Sequence, residues 1–394
     1  MGVANRLFSE GFRVFFLAAG LYALFTGLVW ELFLSGIGPG PAFGPHPVMW
    51  HAHEMIFGYA SAAIGGFFLT AVPSWTNTQG ARQGFIALAA GLWLAGRLAV
   101  WYAAALPPLL VAAVDLAFVP VLALKILTQL LKRPKPQNVM FLLFLVYLWV
   151  ANLLVHLGWM GLADETTAAL GLRGGLMTLC GLIAVLGGRV TPAFTRNAMK
   201  RAGVPEADWP RSPKLVERVS LVLALALPVL TMASAPDWLI GSAALLFGVV
   251  QVVRLAGWGG IWCLTQPILL ALHLGMAMLA LGMILTGLAR FGIGHELAGL
   301  HVLGIGCVGG MTLAVMSRAA LGHSGRALIA PRPMALGYIL ILLAAILRWA
   351  GTELSMFYLP ALLTTGGLWI AAFGLFLFAL WPALTGPRQT SPLG

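Results

Sequence analysis

The sequence predicts an all-α integral membrane protein, a bundle of about 12 transmembrane helices with both termini in the cytoplasm. Composition is the first reason: of 394 residues, 60% are apolar and only 9% are charged. A soluble domain carries about 25% charged residues, so this chain lacks the side chains to cover a water-exposed surface. The second reason is that apolar runs of roughly 20 residues recur along the whole chain, each long enough to cross the bilayer as a helix.

The predicted spans follow one another with short polar connections. In chain order they cover about 11–34, 49–73, 84–104, 107–130, 139–161, 166–187, 214–233, 238–256, 263–289, 297–317, 333–350 and 356–381. We therefore expect a single polytopic domain over residues 1–394. Its short loops near 131–138, 188–213 and 318–332 should face the cytoplasm.

The distribution of basic residues predicts the orientation. With the amino terminus inside, the 23 Lys and Arg residues fall on the inner side except Arg97, Arg173, Arg290 and Arg348. Such a bias follows the positive-inside rule. The formal charge of +11 is therefore a topology signal, and we expect no nucleic acid among the partners.

Cysteine usage excludes two classes of metal site. Cys180, Cys263 and Cys307 are isolated in apolar surroundings and form no CxxC pair. A c-type haem attachment motif and a cysteine-based zinc site are thereby excluded.

Most histidines fall on the outer side of the predicted topology. His51 and His53 begin span two, His156 ends span five, His301 begins span ten, and His273 is expected near mid-membrane. Ionisable side chains cost roughly 2.5–3.5 kcal/mol each in a membrane helix, so they are rarely there without a partner. Facing helices can supply ligands to one interior site, and imidazole suits iron, copper and zinc. We therefore predict these five as metal ligands; the alternative is that each is separately hydrogen-bonded. The other histidines are predicted to lie outside the membrane: His46, His295 and His323.

The spacing of His51 and His53 separates their rings. Side chains two positions apart on an α-helix point about 200° apart, so we expect the pair to serve two centres. Glu54 shares the face of His51. Its role is open between an acceptor that orients His51, a metal ligand and a proton donor, with an interfacial carboxylate near water as the alternative. Asp115 and Glu31 lie near span ends and are expected to be solvated, although either could relay protons.

Three sequence blocks resemble the NnrS family. They are, in chain order, Trp50–Gly58 (WHAHEMIFG) with Phe68–Pro73 and Trp75–Thr76, then Gly187–Pro192 with Phe194–Asn197, and finally His301 with Gly310–Met316 and Leu321–Arg326. Elsewhere the chain resembles the family in length and hydropathy. The motif positions that carry over are His51, His53, Glu54, Arg189, Arg196, Asn197, His301, Arg318, His323 and Arg326.

The resemblance implies a function. The family is described as polytopic haem- and copper-containing membrane proteins tied to the bacterial response to nitric oxide. It implies haem b, copper, nitric oxide as ligand and the bacterial inner membrane as location. We expect binding and reduction of nitric oxide at a His-lined site in the periplasmic half, with electrons from an unidentified donor. His301 and one of His51 or His53 would ligate haem, and Glu54 would supply protons as the catalytic residue.

Arg97 and Arg290 are outer-side exceptions to the charge rule. Each is predicted to bind haem through the propionates, with a snorkelling side chain as the alternative. The small-residue spacings Gly171-xxx-Gly175 and Gly306-xxx-Gly310 predict close helix packing, or a contact in a homo-oligomer.

Two other functions remain open at this stage. One is a non-catalytic haem- or copper-binding protein that protects against nitrosative stress. The other is a twelve-helix secondary transporter, although such proteins usually bind their substrates at the midplane, whereas the ionisable residues here cluster off-centre.

Overall fold

The computed structural model describes residues 2–37 and 47–389. Across these residues the chain is helical and contains no strand. Twelve of the helices are long and apolar enough to cross a membrane. The protein is therefore a multi-pass membrane protein, as the sequence predicts. His46, predicted in the first external loop, lies outside the described residues.

The spanning helices are labelled in chain order. They are α1 (Gly11–Leu34), α2 (Pro47–Thr76), α3 (Gln83–Trp101), α4 (Pro108–Leu130), α5 (Gln137–Trp159), α6 (Thr166–Arg201), α7 (Lys214–Met232), α8 (Asp237–Ala256), α9 (Pro267–Ala289), α10 (Glu296–His323), α11 (Arg332–Glu353) and α12 (Tyr358–Thr385). Short helical turns outside them cover Val3–Leu7, Glu206–Asp208, Ile261–Thr265 and Ser355–Phe357.

Two predicted cytoplasmic loops begin later than expected. Helix α6 continues to Arg201, so the first part of the predicted loop 188–213 is helical. The polar side chains of this segment suggested a loop, but the helix continues through Pro192. The backbone first turns to a left-handed conformation at Gly203, with φ of +73°, just after the helix ends. Helix α10 likewise continues to His323, inside the predicted loop 318–332. A falling hydropathy marks where a helix leaves the bilayer, not where the helix ends.

The chain divides into two compact units. Unit 1 comprises Met1–Gly175, Ala319–Ala327 and Phe376–Gly394, and unit 2 comprises Leu176–Arg318 and Leu328–Leu375. Helices α6, α10 and α12 therefore contribute residues to both. The single polytopic domain expected from the sequence stays a prediction.

Aromatic side chains fill the interior of unit 1. The rings of Phe15 and Phe118 lie 5.6 Å apart between centroids, and those of Phe68 and Phe141 lie 5.7 Å apart. The buried Arg13 donates to main-chain carbonyls at the end of α12, including that of Gly386 at 2.8 Å. Carbonyls at a helix carboxyl end lack intrahelical partners, so this arginine stabilises the end of α12.

Unit 2 relies on small residues and on one buried cation. At Gly248 a Cβ would lie 2.8 Å from the carbonyl oxygen of Ala280, so α8 and α9 approach as closely as their backbones allow. Arg254, on α8, is buried and donates to both oxygens of Glu217 at 3.0 and 2.9 Å. It also donates to the carbonyl of Ala184 at 2.9 Å. This arginine thus joins α6, α7 and α8.

Large apolar side chains cover the outer faces of the spanning helices. Leu28 and Leu98 are each 52% exposed and Phe378 is 73% exposed. In water such a surface would promote aggregation, whereas in a bilayer it faces lipid.

A prediction concerns the spacing Gly171-xxx-Gly175. A Cβ at Gly171 would lie 2.5 Å from the carbonyl oxygen of Ala151, and one at Gly175 would lie 2.7 Å from the ring of Phe57. We expect Gly171→Val to destabilise the protein by about 1–3 kcal/mol through overpacking, seen as a lower thermal unfolding midpoint in detergent. The matched control is Gly367→Val, because no heavy atom lies within 4 Å of a Cβ there. Equal midpoints for the two variants would contradict the packing role.

Candidate metal site

Polar side chains from four helices meet in the interior of unit 1, where each is at most 5% exposed. This polar cluster consists of His53 and Glu54 on α2, Arg97 on α3, Asp115 on α4, and Asn152 and His156 on α5. Because unpaired ionisable groups are costly inside a membrane protein, the contacts within the cluster decide whether these helices can pack together.

Local helix geometry brings His53 and Glu54 to the same place. Consecutive residues of a regular α-helix do not face each other. At Glu54, however, the helix changes from α to π over Glu54–Tyr59, and Nδ1 of His53 lies 2.8 Å from Oε1 of Glu54. Gly58 makes room for this turn, because a Cβ there would lie 2.7 Å from Oε2 of Glu54 and 3.0 Å from Nη1 of Arg97. Turns of π-helix are rare and occur often at functional sites.

Asp115 reaches the cluster because α4 is interrupted directly after it. The first segment of α4 ends at Asp115 and the second begins at Phe118. Pro120 has no amide hydrogen, so it cannot donate to the carbonyl of Leu116 four residues earlier. That carbonyl accepts a hydrogen bond from the indole of Trp149 on α5 instead, at 3.1 Å.

Arg97 joins the two carboxylates of the cluster. Its Nη1 donates to both oxygens of Glu54 at 2.7 and 2.6 Å, and its Nη2 donates to Oδ1 of Asp115. The other oxygen of Asp115 accepts from Nδ2 of Asn152 and Nε2 of His156, each at 2.8 Å. Every charged group in the cluster therefore has an opposite charge within bonding distance, which is what burial requires.

Both ring nitrogens of His53 face oxygen acceptors. Nδ1 faces Glu54, while Nε2 lies 2.8 Å from Oδ1 of Asn152 and 3.3 Å from Oδ2 of Asp115. A ring nitrogen that faces an oxygen acceptor either carries a proton or binds a cation that lies between the two atoms. Two carboxylates and Arg97 leave one net negative charge. A proton or a monovalent metal ion at His53 neutralises the cluster.

His53, Asp115 and His156 form a group that can hold a metal ion. One ligand atom from each lies within 4.8 Å of the others, and all three residues are buried. Ligand atoms around a transition ion lie about 3.0–3.5 Å apart, so shifts of about an ångström create the site. Two imidazoles and a carboxylate suit iron, copper or zinc. Glu54 accepts from the other nitrogen of His53, as the partners that orient metal-binding histidines do.

Glu54 orients His53 and not His51. The sequence placed it on the face of His51, but the π turn directs it into the cluster. There it accepts hydrogen bonds from Arg97, His53 and the hydroxyl of Tyr22. The alternative of an interfacial carboxylate near water is wrong, because Glu54 is fully buried. Its role as catalytic proton donor stays a prediction.

The structure brings together two of the predicted metal ligands of unit 1. His53 and His156 lie in the cluster with ring centroids 5.7 Å apart. His51 lies outside the cluster, and its ring stacks on Trp30 at a centroid distance of 4.3 Å. That His51 and His53 serve different centres stays a prediction.

His273 belongs to unit 2, where it has surroundings of its own. Helix α9 begins at Pro267, which places His273 in the second turn and closer to the predicted inner end than to mid-membrane. Its Nε2 lies 3.0 Å from Oγ1 of Thr195 and 3.6 Å from Sγ of Cys263. Within the described residues, no second histidine is in hydrogen-bond or ring contact with it, and its role as a metal ligand stays a prediction.

His301 also belongs to unit 2 and directly precedes a second π-helical segment, Val302–Gly309. Its Nδ1 lies 2.8 Å from the carbonyl oxygen of Leu297. Because a carbonyl can only accept, Nδ1 carries the proton and Nε2 keeps its lone pair, the form that ligates iron. At Gly304, one turn further, no heavy atom lies within 4 Å of where a Cβ would be. His301 could therefore ligate a haem iron through Nε2.

The arginines predicted to bind haem propionates both have protein carboxylates as partners. Arg97 is buried between Glu54 and Asp115, so the snorkelling alternative is wrong for it. Arg290 pairs with Asp237 at 2.7 Å and with Glu296. A role of either arginine in cofactor binding stays a prediction, and it would require these ion pairs to open.

Comparison with known protein families shows to which family the chain belongs. The family described as "NnrS protein" matches residues 6–388, which is nearly the whole sequence. The chain belongs to the NnrS family. A search of curated proteins finds no match. In this NnrS protein, the block Trp50–Gly58 supplies His53 and Glu54 to the cluster and places Gly58 beside them. The block at His301 begins directly before the second π-helical segment.

Sequence reasoning missed part of the cluster. Asp115 was expected to be solvated near a span end, which is wrong, because the break in α4 leaves it 4% exposed. Asn152 and Tyr22 were not singled out. A usable signal was present, since Asn152 and His156 are four residues apart and therefore share one face of α5.

A prediction compares two arginines that each bridge two carboxylates. Arg97→Gln leaves Glu54 and Asp115 buried without a cation, so we expect a loss of about 3–5 kcal/mol in unfolding free energy. Arg290 is more exposed, at 21% of its side chain, and Arg290→Gln should cost at most about 1 kcal/mol. Thermal unfolding of the purified variants in one detergent measures both. Similar losses would show that burial of the Arg97 network does not stabilise the protein as described.

Proposed function

We propose that this NnrS protein is a haem- and copper-containing membrane protein that binds nitric oxide and reduces it at a His-lined site in the periplasmic half of the bundle. The observation that carries the proposal is the buried group His53, Asp115 and His156, with Glu54 fixed behind His53. Family membership supports it, because two residues that carry the family resemblance, His53 and Glu54, belong to the polar cluster that contains this group.

The ligand atoms and the space around them suggest which residues would hold copper and which would hold haem. The rings of Phe57 and Trp159 lie 5.1 and 4.9 Å from that of His53, which leaves no space for a macrocycle there. We therefore assign the non-haem metal, copper, to His53, Asp115 and His156. Haem b is assigned to His301, whose Nε2 carries the lone pair. Haem when bound supplies a redox-active iron that coordinates nitric oxide.

The reaction requires a source of electrons and protons. Two molecules of nitric oxide, two electrons and two protons give nitrous oxide and water, with one N–N bond formed and one N–O bond broken. An external donor supplies the electrons. The protein's contribution is a hydrogen-bonded route for protons, formed by Glu54 and Tyr22 beside His53. In the metal-free cluster, Nε2 of His53 carries a proton of its own. Metal binding at His53 displaces that proton, so affinity falls with decreasing pH.

A non-catalytic metal-binding function is the second candidate. It is favoured by the packing of the cluster, because three aromatic rings surround His53, those of Phe57, His156 and Trp159. A site enclosed in this way protects a metal ion but leaves little space for two substrate molecules.

Metal content tests the assignment. We expect His53→Ala and His156→Ala to lose the same non-haem metal while keeping haem, and His301→Ala to lose the Soret band while keeping that metal. Glu54→Gln should weaken binding of the non-haem metal about 10–100-fold. His295→Ala is the control, because this exposed histidine pairs with Glu353 outside the cluster. Wild-type protein that contains neither iron nor copper would disprove the proposal.

Turnover separates the two candidate functions. We expect the purified wild type to consume nitric oxide in the steady state with a chemical or quinol donor and to release nitrous oxide. The His53→Ala variant should lose this activity. Spectral changes on binding nitric oxide without product formation would favour the non-catalytic function.

A further inference from the structure

One arginine of unit 2 is buried without a carboxylate partner. Arg348, on α11, is 4% exposed, and its Nε lies in the interior without a hydrogen-bond partner. Its guanidinium contacts the hydroxyl of Thr352 and lies 5.3 Å from the ring of Tyr358, whose hydroxyl is 3.5 Å away. Among the described residues no acidic side chain pairs with it. A buried cation without a counter-charge is strongly destabilising.

The other buried arginines of the protein have such partners. Arg13 pairs with Glu10 at 3.0 Å, and Arg254 pairs with Glu217 at 2.9 Å. Arg97 pairs with two carboxylates of the polar cluster. Arg348 is therefore as buried as these arginines, but unlike them it has no carboxylate partner in the described residues. This difference indicates that its counter-charge comes from a ligand.

The position of Arg348 identifies where such a ligand would lie. Helix α11 packs against the first turns of α10 and against the π-helical segment that follows His301. His301 and Arg348 therefore lie on segments that pack against each other. His301 has its Nε2 lone pair available, and Gly304 leaves open space one turn further along the helix. An anion near Arg348 and a group ligated by His301 are thus neighbours.

We infer that Arg348 binds a carboxylate of the molecule that His301 ligates, a propionate of haem. This inference rests on the proposed function, which assigns haem to His301. Chemistry supports the choice, because a guanidinium presents two parallel N–H groups that match the two oxygens of a carboxylate. The same position could instead take a free carboxylate or another small anion, and the test has to separate these sources.

The experiment compares two haems that differ only in their carboxylates. Metal-free, haem-free full-length protein in detergent is titrated with protohaem and with protohaem dimethyl ester, whose propionates are uncharged. We expect the wild type to bind protohaem at least about tenfold more tightly than the ester, as a hydrogen-bonded charge pair contributes. Arg348→Gln should bind both forms equally, with the affinity of the wild type for the ester. Arg332→Gln is the matched control and should discriminate as the wild type does, because this exposed arginine lies at the opposite end of α11 from Arg348.

The outcomes distinguish this inference from the proposed function. If the wild type binds neither haem, the proposed function fails. If it binds haem but Arg348→Gln still prefers protohaem as strongly as the wild type, Arg348 is not the carboxylate partner and only this inference fails. Equal binding of the two haems by the wild type indicates a free anion at Arg348 and also overturns it. Should Arg348→Gln not fold, Arg348→Met carries the test, since it leaves no polar group buried.

Discussion

The ion pairs that Arg97 makes with Glu54 and Asp115 are the constraint on which the structure of unit 1 depends. Buried charges are tolerated only when they are paired, so α2, α3 and α4 have to place these groups within bonding distance of one another. Two of these helices depart from regular α-helical geometry where they place these groups. Helix α2 adopts a π turn at Glu54, and α4 is interrupted after Asp115. Such departures from local preference are expected at functional sites.

Metal binding at the cluster would be coupled to protons. Because both nitrogens of His53 face oxygens, its Nε2 position needs a positive charge, which a proton or a metal ion can provide. Binding of a metal at His53, Asp115 and His156 therefore releases protons.

Most of the fold could be predicted from hydropathy, because the thickness of the bilayer fixes the length of each span and the missing water enforces helices. The ends of α6 and α10 could not be predicted in this way. A helix can continue beyond the bilayer, whereas hydropathy identifies only the part of the helix inside it. The interruption of α4 was also missed. It depends on Pro120 and on a hydrogen bond from Trp149, a residue of another helix.

The sequence indicated several residues of the candidate site individually, but not that they lie together in one cluster. His53, Glu54 and His156 attracted attention because charge and imidazole are rare inside membranes. Their true partners, Asp115 and Asn152, became visible only once four helices were packed. The charge rule likewise identified Arg97 as an exception without showing that two carboxylates hold it.

The central claim is that two imidazoles and one carboxylate of the polar cluster bind a transition-metal ion. X-ray absorption at the metal edge of the purified protein tests it most directly. We expect scattering from two imidazole rings and an oxygen at about 2.0–2.2 Å, with one ring lost in His156→Ala. Absorption spectra that show sulfur ligands, or that are unchanged in His156→Ala, would contradict it.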